Sequence, residues 1–239
     1  MKKTFRALLL AAGMGTRLRP ITLNTPKCLV PIGGEPLLGR WLRELQKAGC
    51  ESVLINTHYL QEKVETFLRN WKSSTMNIQT IHEPELLGTA GTLVANQKFF
   101  NGGTGLLIHA DNFMAGDLKD FLGAHQQRQS CCELTMLTFD TTTPSSCGIV
   151  EIDKKLVVHA FHEKLIKPPG KRANGALYAF EQDFLDHVDQ MNPTPSDFST
   201  EVIPKFLGRI QSWHTNRPYL DIGTPASLTM AQQLLGIKQ

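Results

Sequence analysis

The 239-residue chain has no apolar stretch long enough to cross a bilayer, so a membrane-spanning helical protein is not expected. It also lacks any metal-type cysteine spacing. Its five cysteines, Cys28, Cys50, Cys131, Cys132 and Cys147, form neither a CxxC pair nor a zinc pattern. An odd number without such a pattern reads as reduced thiols. Charge of one sign is not in excess either: 25 Lys and Arg against 22 Asp and Glu give a formal net charge of +3. That balance suits small anionic substrates and falls far short of the footprint of a nucleic-acid binder. No internal repeat and no low-complexity segment is present. Lys2 and Lys3 precede the apolar run Ala7 to Ala12 in the manner of a secretory leader, but the run is too short, and Gly13, Gly15, Arg17 and Arg19 break it at once. A cytoplasmic protein without a membrane or nucleic-acid partner is the expectation that follows.

What is present is an ordinary globular composition, 41% apolar and 20% charged, in a chain long enough for a sizeable core. Phe5 to Ala12 reads as a buried strand and is followed by a Gly-rich loop. Apolar residues at helical spacing mark a helix from Leu37 to Ala48, closed by Gly49. Strands are expected at Ser52 to Asn56, Ile78 to His82 and Gly105 to Ala110, with helices at Gln61 to Trp71 and Thr89 to Phe99. This alternation predicts a parallel α/β sheet. The second half is richer in strands, at Glu133 to Asp140, Gly148 to Ile152, Leu156 to Phe161 and Ala176 to Phe180, and a helix spans about Ala226 to Leu235. Lys167-Pro168-Pro169-Gly170 and Asn192-Pro193-Thr194-Pro195 read as loops and not as domain linkers. One domain over residues 1–239 is expected, with halves of about 1–115 and 116–239.

The informative segment is Leu10 to Pro31, LAAGMGTRLRPITLNTPKCLVP. Without a Cβ, Gly13 and Gly15 let the backbone turn sharply and bring successive N–H groups to an anion. Arg17 and Lys27 add charges suited to a triphosphate. Neither common phosphate loop is matched. No Gly-Lys-Ser/Thr follows Gly15, and Leu18 stands where a dinucleotide fingerprint needs its third glycine. A bare GxG would be an ordinary strand-to-helix turn; the added Thr-Arg and Pro-Lys make the string more specific.

LAAGMGTRLRPITLNTPKCLVPIGGEP resembles the signature of the sugar-1-phosphate nucleotidylyltransferases, LAAGxGTRLxPxTxxxPKxLxPxxxxP. Further strips resemble that family in order: Gly88-Thr89-Ala90-Gly91, His109-Ala110-Asp111-Asn112, Phe161-His162-Glu163-Lys164, Asn174-Gly175-Ala176-Leu177-Tyr178 and Leu220-Asp221-Ile222-Gly223-Thr224-Pro225. The resemblance implies a three-layer Rossmann-like α/β fold with a mixed, mostly parallel central sheet. The nucleotide would lie over the carboxyl ends of the first strands.

The reaction it implies is attack of a sugar 1-phosphate oxygen on the α-phosphorus of a nucleoside triphosphate, with pyrophosphate leaving. A phosphate monoester whose second pKa is about 6 is already mostly dianionic, so no general base is required. The chemistry needs two polyanions held together and the leaving charge stabilised. By resemblance, Leu10, Ala11, Ala12, Gly13, Gly15, Thr16, Arg17, Gly88 and Thr89 bind the nucleotide, and Arg17 faces its β- and γ-phosphates. Lys27 serves the α-phosphate, Asp111 and Asp221 hold Mg²⁺, and Lys164 neutralises the sugar phosphate. Glu163, Asn174 and Gly175 face the sugar. Read without the resemblance, Asp111 and Asp221 are equally turn residues and Glu163-Lys164 a solvated pair. His58 and His109 read as structural.

Glu83 carries a carboxylate that can accept the N1–H and N2–H₂ protons of guanine. The wording around it most resembles mannose-1-phosphate and manno-heptose-1-phosphate guanylyltransferases. A uridylyltransferase for a glucose-, glucosamine- or muramate-type phosphate is the runner-up, a cytidylyltransferase is more distant, and a non-catalytic nucleotide-sugar-binding relative is the alternative of another class. A homodimer is compatible with the resemblance. With no hexapeptide repeat after the last helix, acetyltransferase activity is not expected. Two positions depart from the family: Ala110 replaces a glycine before the metal aspartate, and Cys147 replaces an aromatic residue before Gly148. The second bears on a pocket wall and not on the reaction, so Cys147→Ser is expected to leave turnover intact; a folded but inactive variant would contradict this.

Overall fold

A computed structural model describes residues 4–71 and 75–236, so Lys2 and Lys3 lie outside the described residues. In chain order the elements are β1 (Phe5–Leu10), β2 (Pro31–Ile32), β3 (Glu35–Pro36), α1 (Leu37–Ala48), β4 (Cys50–Thr57), α2 (Gln61–Asn70), β5 (Asn77–His82), α3 (Gly88–Ala95), β6 (Thr104–His109) and β7 (Asn112–Met114). They continue with α4 (Leu118–Gln126), β8 (Leu134–Asp140), β9 (Gly148–Ile152), β10 (Val158–Glu163), β11 (Arg172–Phe180), α5 (Gln182–Asp189), β12 (Ile210–His214), β13 (Tyr219–Asp221) and α6 (Pro225–Leu234). The fold is α/β with a mixed, mostly parallel central sheet. No helix among the described residues is long and apolar enough to cross a membrane.

The chain forms two compact units whose segments alternate along the sequence. The first, called here the loop unit, comprises residues 7–71, 75–86, 108–117 and 217–236; the strand-rich unit comprises residues 4–6, 87–107 and 118–216.

In the loop unit the strand order runs β1-β4-β5, and β4 and β5 pair in parallel from Ser52↔Asn77 to Thr57↔His82. The apolar run of β1 is explained by enclosure, since Ala7, Leu8 and Leu9 have no exposed surface. Helix α1 buries Leu37, Leu38, Trp41, Leu42 and Leu45, the stripe its spacing announced, and ends where the Gly49 N–H returns to the Gln46 and Leu45 carbonyls. A separate apolar cluster joins Leu18, Val30, Ile32, Leu37, Phe113, Ile222, Leu228 and Ala231. It anchors the long loop after β1 through Leu18 and Val30.

In the strand-rich unit β11 lies antiparallel to β8 and β9, β9 antiparallel to β10, and β8 parallel to β12. Its core is a run of touching rings: Phe100 on Phe180 at 5.1 Å, Phe180 on Phe184 at 5.3 Å, Phe184 on Phe206 at 4.8 Å, and Tyr178 on Phe198 at 4.4 Å.

Several expected elements shift for local reasons. The helix read from Thr89 to Phe99 breaks at Asn96, whose Nδ2 donates to the Thr92 carbonyl, and a 3₁₀ turn Gln97–Phe100 follows. The strand read from Leu156 begins only at Val158. Asp153 Oδ1 accepts from the Lys155 and Val157 amides and makes a turn that puts Leu156 at φ 63°. The strand read from Ala176 begins earlier, at Arg172, because a bulge between Asn174 and Tyr178 interrupts its pattern.

Thr224 caps α6: its Oγ1 accepts from the Ser227 N–H at 3.2 Å, and its own N–H donates to Ser227 Oγ at 3.1 Å, with Pro225 in the first turn. Thr224→Ala is therefore expected to cost about 1 kcal/mol, read as a lower urea midpoint at unchanged slope. An unchanged midpoint would show that the box contributes nothing.

Candidate active site

The loop after β1 is not extended; it folds into 3₁₀ turns at Thr16–Leu18, Ile21–Leu23 and Lys27–Leu29. Gly15 sits at φ 62°, and a Cβ there would lie 2.9 Å from Thr22 Cγ2 and 3.1 Å from Lys27 Cβ. Only glycine fits both the conformation and the space. Thr22 Oγ1 donates to the Gly15 carbonyl at 2.6 Å, which fixes the turn from inside. Gly13 differs: a Cβ there would meet nothing within 4 Å, so its bare backbone faces open space.

Lys27, largely buried, is clamped by two carboxylates, with Nζ against Asp111 Oδ2 and 3.2 Å from Asp221 Oδ1. Arg17, 66% exposed, brings Nη2 to 3.8 Å from Asp221 Oδ2. Gly223 makes room for that approach, since a Cβ would stand 2.8 Å from Arg17 Nη2. Burial works to lower the Lys27 pKa, yet Asp111 and Asp221 hold it above the ordinary lysine value. Burial works to raise the Asp111 carboxyl, yet Lys27 and then His109 hold it below the usual carboxylate range. Lys27 and Asp111 thus each favour the charged form of the other.

The topology behind this cluster is a short antiparallel pairing of β7 with β13, Asp221 opposite Asn112, reinforced by the Ile222 N–H donating to the Asp111 carbonyl at 3.1 Å. The pairing sets the two aspartates side by side. Ala110 is fully buried, donates its N–H to the Leu10 carbonyl at 3.0 Å and is not among the residues with positive φ, so alanine is accommodated where the family has glycine.

The start of the loop is tied to Glu83. The Ala11 N–H donates to Asn56 Oδ1 at 2.7 Å, and Asn56 Nδ2 donates to Glu83 Oε1 at 3.0 Å. Glu83 is 4% exposed, and its N–H reaches the Thr57 carbonyl. Ala11 and Ala12 are buried, and Thr16 opens the first 3₁₀ turn. His58 Nδ1 lies 2.8 Å from the Glu83 carbonyl oxygen.

The remaining expected residues lie in the strand-rich unit. Gly88 and Thr89 begin α3. The Ala90 and Gly91 amides behind them donate to the Ser196 carbonyl, and Thr89 Oγ1 accepts from the Phe198 N–H at 2.8 Å. Lys164, at φ 48°, donates its N–H to the Cys147 carbonyl, and its exposed Nζ lies 3.0 Å from Oε1 of the half-buried Glu163. Asn174 Nδ2 donates to Tyr178 Oη at 2.6 Å, while its Oδ1 accepts from the Ala176 N–H at 2.9 Å, pinning the bulge that contains Gly175. Burial pushes the Tyr178 phenol far above its ordinary value, so it stays neutral.

The sequence reading missed Asn56, Thr22 and the Ser196–Phe198 stretch. The first two had a signal: a polar residue ending an apolar strand, and a threonine inside the motif itself.

Among the described residues no group of three or more His, Cys, Asp and Glu could hold a metal ion. The pair Asp111 and Asp221 still suits Mg²⁺, an ion that takes one or two carboxylates and completes its shell with water and substrate phosphate oxygens.

The family model described as nucleotidyl transferase matches residues 6–236. A mannose-1-phosphate guanylyltransferase of Mycobacterium tuberculosis is 29% identical over 223 residues, covering 92% of this chain and 61% of that protein. The mannose-1-phosphate guanylyltransferase catalytic subunit beta of Drosophila melanogaster is 29% identical over 232 residues, covering 92% and 60%. The chain thus spans about three-fifths of the length of these relatives. Two solved structures share the fold. A putative glucose-1-phosphate thymidylyltransferase from Bacillus anthracis, in complex with a sucrose, has a TM-score of 0.87 at 20% identity, covering 98% of this chain and 96% of that one. HddC from Yersinia pseudotuberculosis, complexed with GMP-PN, has a TM-score of 0.78 at 21% identity, covering 97% and 100%. With the family model matched over nearly its whole length, the chain belongs to the nucleotidyl transferase family.

Proposed function

We propose that this protein is a cytoplasmic, Mg²⁺-using sugar-1-phosphate guanylyltransferase, moving GMP from GTP to a mannose- or manno-heptose-type 1-phosphate with release of pyrophosphate. The observation that carries the reading is the Lys27 ammonium held between Asp111 and Asp221, with Arg17 beside Asp221. The guanylyl preference draws on Glu83 as base reader and on relatives named mannose-1-phosphate guanylyltransferase.

Each residue has a defined task. Arg17 and the backbone from Gly13 to Thr16 take the β- and γ-phosphates. Lys27 stabilises charge at the α-phosphate as the bond to pyrophosphate lengthens. Asp111 and Asp221 would hold Mg²⁺, which when bound supplies Lewis-acid neutralisation of phosphate oxygens. Lys164 offsets the charge of the sugar phosphate, while Glu163, Asn174 and Gly175 face the sugar. The acceptor phosphate arrives already deprotonated, so no residue is needed to remove a proton.

Pyrophosphate release is measured with Mg²⁺, crossing GTP, UTP, CTP, dTTP and ATP with mannose-, manno-heptose-, glucose- and muramate-type 1-phosphates. Release confined to GTP with a manno-configured sugar is expected; release with UTP instead would transfer the assignment to a uridylyltransferase. Lys27→Ala and Asp111→Ala should each lower kcat by roughly 10²-fold or more while the protein stays folded. Turnover near that of the unmodified protein in either variant would remove that residue from the chemistry.

A further inference from the structure

We infer that Asn56 is a positioning residue: its one amide group joins the Ala11 N–H at the head of the phosphate loop to the Glu83 carboxylate, setting base reader and phosphate cradle in one register. The inference rests on the proposed role of Glu83. Asn56 is 3% exposed and stands next to the end of β4, whose parallel neighbour β5 leads directly to Glu83. Ala11 immediately follows β1, on the other side of β4 in the strand order. One side chain thus bridges the carboxyl ends of three adjacent strands.

The orientation of that side chain is forced. A backbone N–H can only donate, so the Ala11 amide selects the Asn56 oxygen, at 2.7 Å. The Asn56 NH₂ must then face Glu83, at 3.0 Å from Oε1. The backbone of Glu83 is held separately, its N–H by the Thr57 carbonyl and its carbonyl oxygen by His58 Nδ1. With the main chain held in this way, the Asn56 donor engages Glu83 Oε1 and keeps that oxygen an acceptor. An aspartate in place of Asn56 would keep the Ala11 bond but set oxygen against oxygen at Glu83. A leucine there would leave a buried backbone donor unsatisfied.

The test is equilibrium binding of GTP and UTP to the full chain with Mg²⁺, for Glu83→Gln, Asn56→Asp and the double variant. Asn56→Asp is expected to weaken GTP binding by about tenfold and to narrow the preference over UTP. Glu83→Gln alone should also weaken GTP, because with its oxygen on Asn56 it turns an NH₂ toward guanine donors. The double variant reverses the internal bond. The introduced glutamine amide would donate to the introduced aspartate carboxylate and present its oxygen to the base. The double variant should therefore bind GTP at least about fivefold tighter than Glu83→Gln alone. That recovery is a readout that loss of packing cannot produce, and it stands even if Asn56→Asp alone fails to fold. If Glu83→Gln weakens GTP but the double variant is no better, the positioning role of Asn56 is overturned and the reader survives. If Glu83→Gln leaves GTP binding and preference unchanged, the base-reading role fails, and this inference fails with it.

Discussion

Much of the loop unit is arranged around a buried ammonium. Lys27 comes from the loop after β1, Asp111 follows β6, and Asp221 ends β13. Withdrawing a lysine head from water is expensive, and two carboxylates converging on it offset that cost through direct contact. The arrangement brings together three chain segments that share no local structure. Around it, Thr22 braces Gly15, Gly223 admits Arg17, and an apolar cluster holds the loop from beneath.

The strand-rich unit holds its expected residues by different means. There the fixing elements are backbone irregularities: Lys164 and Ala176 both adopt positive φ, and a bulge lies between Asn174 and Tyr178. Asn174 stabilises the bulge from both ends of its amide. Such distortions re-aim side chains out of a regular strand and are common beside functional sites. The Ser196 carbonyl performs a comparable service for the start of α3 by accepting two of its leading amides.

The sequence made the fold class and the loop legible because both rest on local patterns. The α1 stripe from Leu37 to Leu45 and the apolar β1 are periodic over many residues, and LAAGMGTRLRP is a contiguous string. What escaped was short or non-local. Strands β7 and β13 have three residues each, too few for periodicity, yet their pairing sets Asp111 beside Asp221. The αL residues Leu156 and Ala176 shifted two strand starts, because neither residue type advertises a left-handed backbone. Asn56 stood out only as a polar residue at the end of an apolar run, and its partners were hidden. Those partners are 45 and 27 positions away, and no spacing rule connects them.

The same pairing of β7 with β13 has a consequence for when the site comes into being. Lys27 meets Asp111 across 84 residues and Asp221 across 194. Contacts of such separation form only after long segments have closed, at an entropic cost that local structure does not recover early. The loop after β1 can fold as soon as its own turns form, but its charge clamp cannot. A chain emerging from synthesis would carry the loop motif long before Asp221 is made, and the clamp would be completed only once β13 is in place.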